Sequence, residues 1–173
     1  IRNNTINMYG KAIDLNNPQN SVITNNIITM YQDTWAIEVN ECHNCTIGNN
    51  TINAFNGYGI ESNYSDNASI TNNYINALWE GIKIYDGSNY YVAGNQIDGT
   101  RSNGIYFDNS ENTFIENNVL YPIRDRGIYN SGIDQNAQIL NNTIEYQLGE
   151  QCYIEAIIAN RSFVFTDIFT SSE

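Results

Sequence analysis

Apolar residues recur along this chain in short, β-branched bursts separated by polar turns, and the bursts repeat. The segment Asn49-Asn50-Thr51-Ile52 returns as Asn3-Asn4-Thr5-Ile6, Asn25-Asn26-Ile27-Ile28, Asn72-Asn73-Tyr74-Ile75, Gly94-Asn95-Gln96-Ile97, Asn117-Asn118-Val119-Leu120 and Asn141-Asn142-Thr143-Ile144. Its second residue falls at 4, 26, 50, 73, 95, 118 and 142, at intervals of 22, 24, 23, 22, 23 and 24 residues. Three positions earlier stands Ile1, Ile23, Ile47, Ile70, Val92, Ile115 or Ile139, and two positions later Ile6, Ile28, Ile52, Ile75, Ile97, Leu120 or Ile144. A third burst pairs a small residue with isoleucine, at Ile13, Ile37, Ile60, Ile82, Ile105 and Ile128. A period this regular marks a repeat architecture.

Bursts this short, apolar at every second residue, predict strands and leave no room for helices. Three strands per repeat, joined by turns, wind into a coil in which each strand pairs in parallel with its copy one repeat later. The expected fold is all-β: a right-handed parallel β-helix of about seven coils of 22–24 residues, with three short strands in each. At about 4.8 Å per strand, seven coils span roughly 34 Å. A second asparagine column lies six positions before the anchor, at Asn20, Asn44, Asn67, Asn89, Asn112 and Asn136. Asparagine tolerates the left-handed turn conformation, and a stacked amide both donates and accepts. Asparagine ladders inside the turns are therefore expected, with the amides of Asn67 and Asn89 in contact.

The repeat predicts one domain over residues 1–173, as a fragment of a longer chain, with residues 145–173 forming a degraded last coil or C-terminal cap. There Asn160 and Phe163 keep the spacing, Thr166 takes the place of the next anchor and Ile168 the following isoleucine slot. Phe163, Phe165 and Phe169 are expected to cover the core. Ile1 already occupies a strand slot, so an open coil edge at that end would invite pairing with further coils, a cap or another subunit.

Composition narrows the partners. Seven basic against 19 acidic residues give a net charge of −12, which argues against nucleic acid and anionic membranes. No stretch is apolar and long enough for a transmembrane segment. Acidity, few lysines and abundant Asn, Ser, Thr and Tyr suit an extracellular, cell-surface or periplasmic protein. Sequons at Asn3, Asn44, Asn49, Asn63, Asn67, Asn141 and Asn160 arise mostly from the repeat itself. Cys42 and Cys45, flanking His43, form a lone C-x-x-C; a zinc site would need about four ligands, so turn thiols or a local disulfide is the expected state.

Chemistry is sought where the repeat stops repeating. The residue after each inward isoleucine of the third burst points outward, giving the row Asp14, Glu38, Glu61, Lys83, Tyr106 and Tyr129. Two positions on stand Asn16, Asn40, Asn63, Tyr85, Asp108 and Ser131; the turn before gives Lys11, Trp35, Tyr58, Glu80, Asn103 and Arg126. Stacked Asp14, Glu38 and Glu61 are candidate oxygen ligands for calcium, and Glu38 with Glu61 a candidate catalytic carboxylate pair. Trp35, Tyr58, Tyr85, Tyr106 and Tyr129, with Lys83, are candidate substrate-binding residues, since ring faces suit the apolar faces of sugars.

The Asn-Asn-x-Ile repeats over essentially the whole chain resemble the pectate-lyase-like β-helix superfamily. That resemblance implies a substrate groove on the sheet built from the third burst. It also implies activities among polysaccharide lyases, glycoside hydrolases and uronan epimerases, alongside members without catalysis. The Asp-Pro-His, Asn-Thr-Asp and Gly-His-Gly motifs of its enzymes are missing. Two functional expectations follow. One is an extracellular β-helix that binds, and processes, polysaccharide on one outward face. The other is a structural surface-layer, fibre or adhesin segment that self-associates through its coil ends.

Overall fold

The computed structural model describes residues 1–132 and 136–146, with the backbone alone at Tyr146 and in the strands Tyr153–Ala156 and Phe165–Ser171. The chain is a parallel β-helix built from three stacks of strands. The first stack comprises Thr5–Met8, Ile27–Met30, Thr51–Ala54, Tyr74–Ala77, Gln96–Asp98, Val119–Ile123 and the second half of Gln138–Tyr146. The second comprises Val22–Thr24, Thr46–Gly48, Ser69–Thr71, Tyr91–Ala93, Phe114–Glu116 and the first half of Gln138–Tyr146. The third holds seven strands: Ile13–Asn16, Trp35–Asn40, Tyr58–Asp66, Ile82–Ser88, Ile105–Glu111, Arg126–Asn130 and Tyr153–Ala156.

Pairing is parallel and set by the repeat. Ile13, Ile37, Ile60, Ile82, Ile105 and Ile128 are successive register partners, and none is more than 4% exposed. The columns Ile23–Ile139 and Ile28–Ile144 are buried in the same way. Side chains alternate across each strand, so a one-residue slip would turn a whole column outward; that penalty fixes the register.

The asparagines divide the turn chemistry between them. The first residue of each pair is left-handed, with φ between 54° and 57° at Asn3, Asn25, Asn49, Asn72, Asn117 and Asn141, and 64° at Gly94. Glycine is accepted at 94 because that slot requires the conformation and not the amide. The second residue forms the buried ladder. Nδ2 of Asn26, Asn50, Asn73, Asn95 and Asn118 each donates to Oδ1 of the next, at 2.9–3.0 Å. The same Oδ1 atoms accept from the preceding asparagine's backbone N–H, at 2.9–3.0 Å. Every ladder amide thereby satisfies backbone that water cannot reach.

The column Asn20–Asn136 departs from expectation. These residues are left-handed and exposed, with Asn112 half-buried, and their amides are linked at 3.0–3.2 Å except between Asn67 and Asn89. There Asn89 Nδ2 donates instead to Ser88 Oγ at 3.3 Å, a hydroxyl that itself donates to Asp66 across the strands. Asn67 therefore satisfies no buried backbone.

The last coil is also shifted. Thr166 pairs with Leu140 rather than Asn142, and Phe169, not Ile168, takes the partner position of Ile144. Register partners here lie 25–26 residues apart instead of 22–24, and the register shifts between Leu140 and Thr143. Asn160, Phe163, Cys152 and the side chains of Phe165 and Phe169 lie outside the described residues.

Candidate functional site

Most of the variation in coil length falls at one corner. From the second stack to the first the core residues are always five apart, as in Ile23 to Ile28 and Ile70 to Ile75. From the first stack to the third the interval runs from seven residues (Ile75 to Ile82) to nine (Ile28 to Ile37). Residues at and beside this corner line a cleft of about 460 Å³: Asp33, Thr34, Trp35, Tyr58, Trp79, Glu80, Lys83 and Ser102.

Trp35 and Tyr58 are register partners whose ring centres lie 4.7 Å apart. Lys83 Nζ sits 5.9 Å from the Trp35 ring and 6.0 Å from that of Tyr85. It also pairs with Glu61 Oε1 at 2.8 Å, a carboxylate only 7% exposed. Glu80 is half-buried on the cleft wall, and one carboxyl oxygen accepts from Asn103 Nδ2 at 2.7 Å. Burial pushes the Glu80 carboxyl above the ordinary glutamate range, with Glu61 adding to the rise, while the Asn103 bond and Lys83 oppose it. Burial likewise raises the Tyr58 hydroxyl. Oδ1 of Asn103, a residue 5% exposed, makes no hydrogen bond.

The structure sorts the sequence-derived candidates. Trp35, Tyr58 and Lys83 come together in the cleft, with Glu61 and Tyr85 adjoining through Lys83. Asp14 and Glu38 do not join them. Lys11 Nζ lies 3.3 Å from Asp14 and 2.5 Å from Glu38, and Asn40 Nδ2 donates to Glu38 at 3.0 Å. Lys11 thus offsets part of the negative charge of the row for which calcium was expected. Among the described residues no three His, Cys, Asp or Glu side chains converge as a metal site. Tyr106 and Tyr129 form a separate pair, 5.5 Å between centres, with the Arg126 guanidinium 4.2 Å over Tyr129. Tyr106 is tied through its hydroxyl to Asp108 and Ser131.

Asp33, Trp79 and Glu80 were not among the sequence candidates. A signal for Glu80 existed: it is the one carboxylate in the turn row Lys11, Trp35, Tyr58, Glu80, Asn103 and Arg126. Asp33 and Trp79 sit in loops of irregular length, which the repeat cannot index.

Two further features lie near this corner and at the next. Tyr9, Tyr31 and Phe55 form an exposed aromatic row along the axis, with centres 5.6 and 5.7 Å apart. Cys42 and Cys45 form a disulfide with Cα atoms 6.0 Å apart, both buried in the core.

Comparison with known proteins and with solved structures returned no match. A family model described as the right handed beta helix region matches residues 30–156. With parallel stacks, inward isoleucine columns and a buried asparagine ladder on the same residues, the chain belongs to the right-handed β-helix family.

Proposed function

We propose that this β-helix binds a neutral polysaccharide chain at the corner cleft, outside the cytoplasm. The observation that carries this reading is the convergence of Trp35, Tyr58 and Trp79 on one cleft with Asp33, Glu80 and Lys83. Aromatic rings offer surface to the C–H face of a sugar, while carboxylates and an ammonium meet its hydroxyls. The row Tyr9–Tyr31–Phe55 continues apolar contact along the axis, which suits a chain rather than a single sugar. Charge supports a neutral ligand. The cleft's lysine is already paired with Glu61, two carboxylates stand beside it, and the net charge is −12; a polyuronate would meet repulsion. A disulfide persists in oxidising compartments, which supports the extracytoplasmic placement. No helix among the described residues is long and apolar enough to cross a membrane.

Isothermal calorimetry with neutral and uronate hexasaccharides tests the reading. Binding of at least one neutral chain is expected, together with a loss of about 2 kcal/mol or more, some 30-fold in Kd, in Trp35→Ala with Tyr58→Ala. Equal binding by the double variant, or binding of uronates alone, would contradict it.

A further inference from the structure

We propose that the corner cleft favours, over a wholly neutral chain, a polysaccharide whose sugars carry protonated amines. This rests on the binding reading above and names the class of sugar that the same cleft takes best.

The carboxylates here differ from other acids of the surface. Asp14 and Glu38 lie against Lys11, Glu61 against Lys83, Asp66 against His43 and Asp125 against Arg126. Asp33 and Glu80 take part in no ion pair among the described residues. Lys83 is the one cation lining the cleft, and Glu61 already holds it. Arg101, one residue before Ser102, is exposed and does not line it. The cleft therefore keeps a surplus of negative charge, in a chain whose net charge is −12, and such a field draws cations.

The backbone sets the two carboxylates on either side of one ring. The Tyr58 N–H donates to the Thr34 carbonyl at 3.0 Å, and the Gly59 N–H to the Glu80 carbonyl at 2.9 Å. Tyr58 thus has Asp33 on the coil before it and Glu80 on the coil after it. Both charges reach its hydroxyl: after burial, Asp33 and then Glu80 raise it. Trp79 stands beside Glu80, and its N–H donates to the Gly57 carbonyl at 3.2 Å, which ties its loop to the coil of Tyr58.

The chain shows on itself how such parts hold an ammonium. Lys83 Nζ lies 2.8 Å from Glu61 Oε1, 5.9 Å from the Trp35 ring centre and 6.0 Å from that of Tyr85, between a carboxylate and aromatic rings. Tyr58 and Trp79 with Asp33 and Glu80 offer the same parts to an ammonium from outside. A sugar seated on the rings carries its amine at the edge of the pyranose, toward the flanking carboxylates. A hydroxyl in that place brings hydrogen bonds without charge, and so does an acetamido group. Burial disfavours the charge on Glu80, and Asn103 and Lys83 offset that only in part, so an added ammonium meets a carboxylate still short of compensation.

Calorimetry on the full chain, at about pH 6 so that an ordinary amine is protonated, tests the preference. The hexamer of β-1,4-linked glucosamine is compared with cellohexaose and with the hexamer of N-acetylglucosamine, which differ from it only in the group at C2. Hexalysine serves as a cation without sugar rings. The amine hexamer is expected to bind about 10-fold tighter than either neutral hexamer, by a margin that shrinks as salt rises. Asp33→Asn with Glu80→Gln should remove the margin and leave the Kd for cellohexaose unchanged. Glu41→Gln with Glu111→Gln, which removes as much charge from exposed positions outside the cleft, should keep the margin. Trp35→Ala with Tyr58→Ala should weaken amine-bearing and neutral chains alike. Binding of a neutral chain without tighter binding of the amine hexamer, a margin that survives in the Asp33 and Glu80 double variant or is lost in the Glu41 and Glu111 one, or equal binding by hexalysine would overturn this inference and leave the binding reading intact. Silence from every neutral and amine-bearing chain would overturn both.

Discussion

Two corners of this β-helix obey different rules. At the corner between the second and first stacks, the coils from Asn26 to Asn118 each spend the same five-residue step, a left-handed residue and a buried asparagine whose amide bonds the next coil. At the corner before the third stack, step length and residue type both change from coil to coil, and there the cleft opens. Repetition at the first corner is demanded by backbone that cannot reach water, since a single missing amide leaves several buried groups unpaired. The second corner faces solvent, so its residues are free to vary and to converge on a ligand. Strict period thus marks scaffold, and broken period marks the candidate site.

The largest effect should come from removing one rung. Asn73 is 1% exposed and bonds the Asn50 amide and backbone N–H, the Ile47 carbonyl and Asn95. Asn73→Ala should destabilise the fold by about 3–5 kcal/mol, at roughly 1–3 kcal/mol for each buried group left alone; urea unfolding measures it. A loss under about 1 kcal/mol would mean that the ladder is not what enforces the period.

A smaller effect is expected beside the cleft. A Cβ on Gly59 would run into the Gly81 carbonyl oxygen and the Ile75 side chain, although Ala36 fills the corresponding slot one coil earlier. Gly59→Ala should cost about 1–3 kcal/mol by overpacking, again by urea unfolding. A neutral result would show that even this corner has slack.

Glu80 should move stability the other way. Its folded pKa lies above the ordinary value because burial disfavours the charge, so the native state binds a proton more tightly than the unfolded chain. Stability then falls as pH rises through the ordinary glutamate value to the folded one, and stays lower above it. Glu80→Gln should raise Tm at pH 7 and lose that advantage below about pH 4, by calorimetric scans at the two values.

The smallest effect belongs to the outer column. Asn67 is exposed, left-handed and joined to Asn44 by one bond of 3.2 Å. Asn67→Gly keeps the conformation and should change stability by no more than about 0.5 kcal/mol.

The sequence carried the scaffold because burial and register are written in period. Each inward isoleucine and each outward row was legible, down to the pairing of Asp14, Glu38, Glu61, Lys83, Tyr106 and Tyr129. Burial of the ladder was harder to read. Both asparagine columns share the period, and only the direction of the side chain separates Asn73, inside, from Asn67, outside. The site was half legible. Trp35, Tyr58 and Lys83 stand in rows that can be indexed, whereas Asp33, Trp79 and Glu80 meet them through corner loops whose path depends on length and packing. Lys11 between Asp14 and Glu38 was likewise out of reach, because a lysine three residues away from Asp14 in a turn has no fixed direction until the turn is built.

The most direct test of the account is a map of amide shifts in a ¹H–¹⁵N spectrum as neutral hexasaccharide is added. Perturbation is predicted at Asp33, Thr34, Trp35, Tyr58, Trp79, Glu80, Lys83 and Ser102, with the ladder from Asn26 to Asn142 unmoved. Shifts centred on the asparagine corner, or on the Tyr106–Tyr129 pair with the cleft silent, would contradict it.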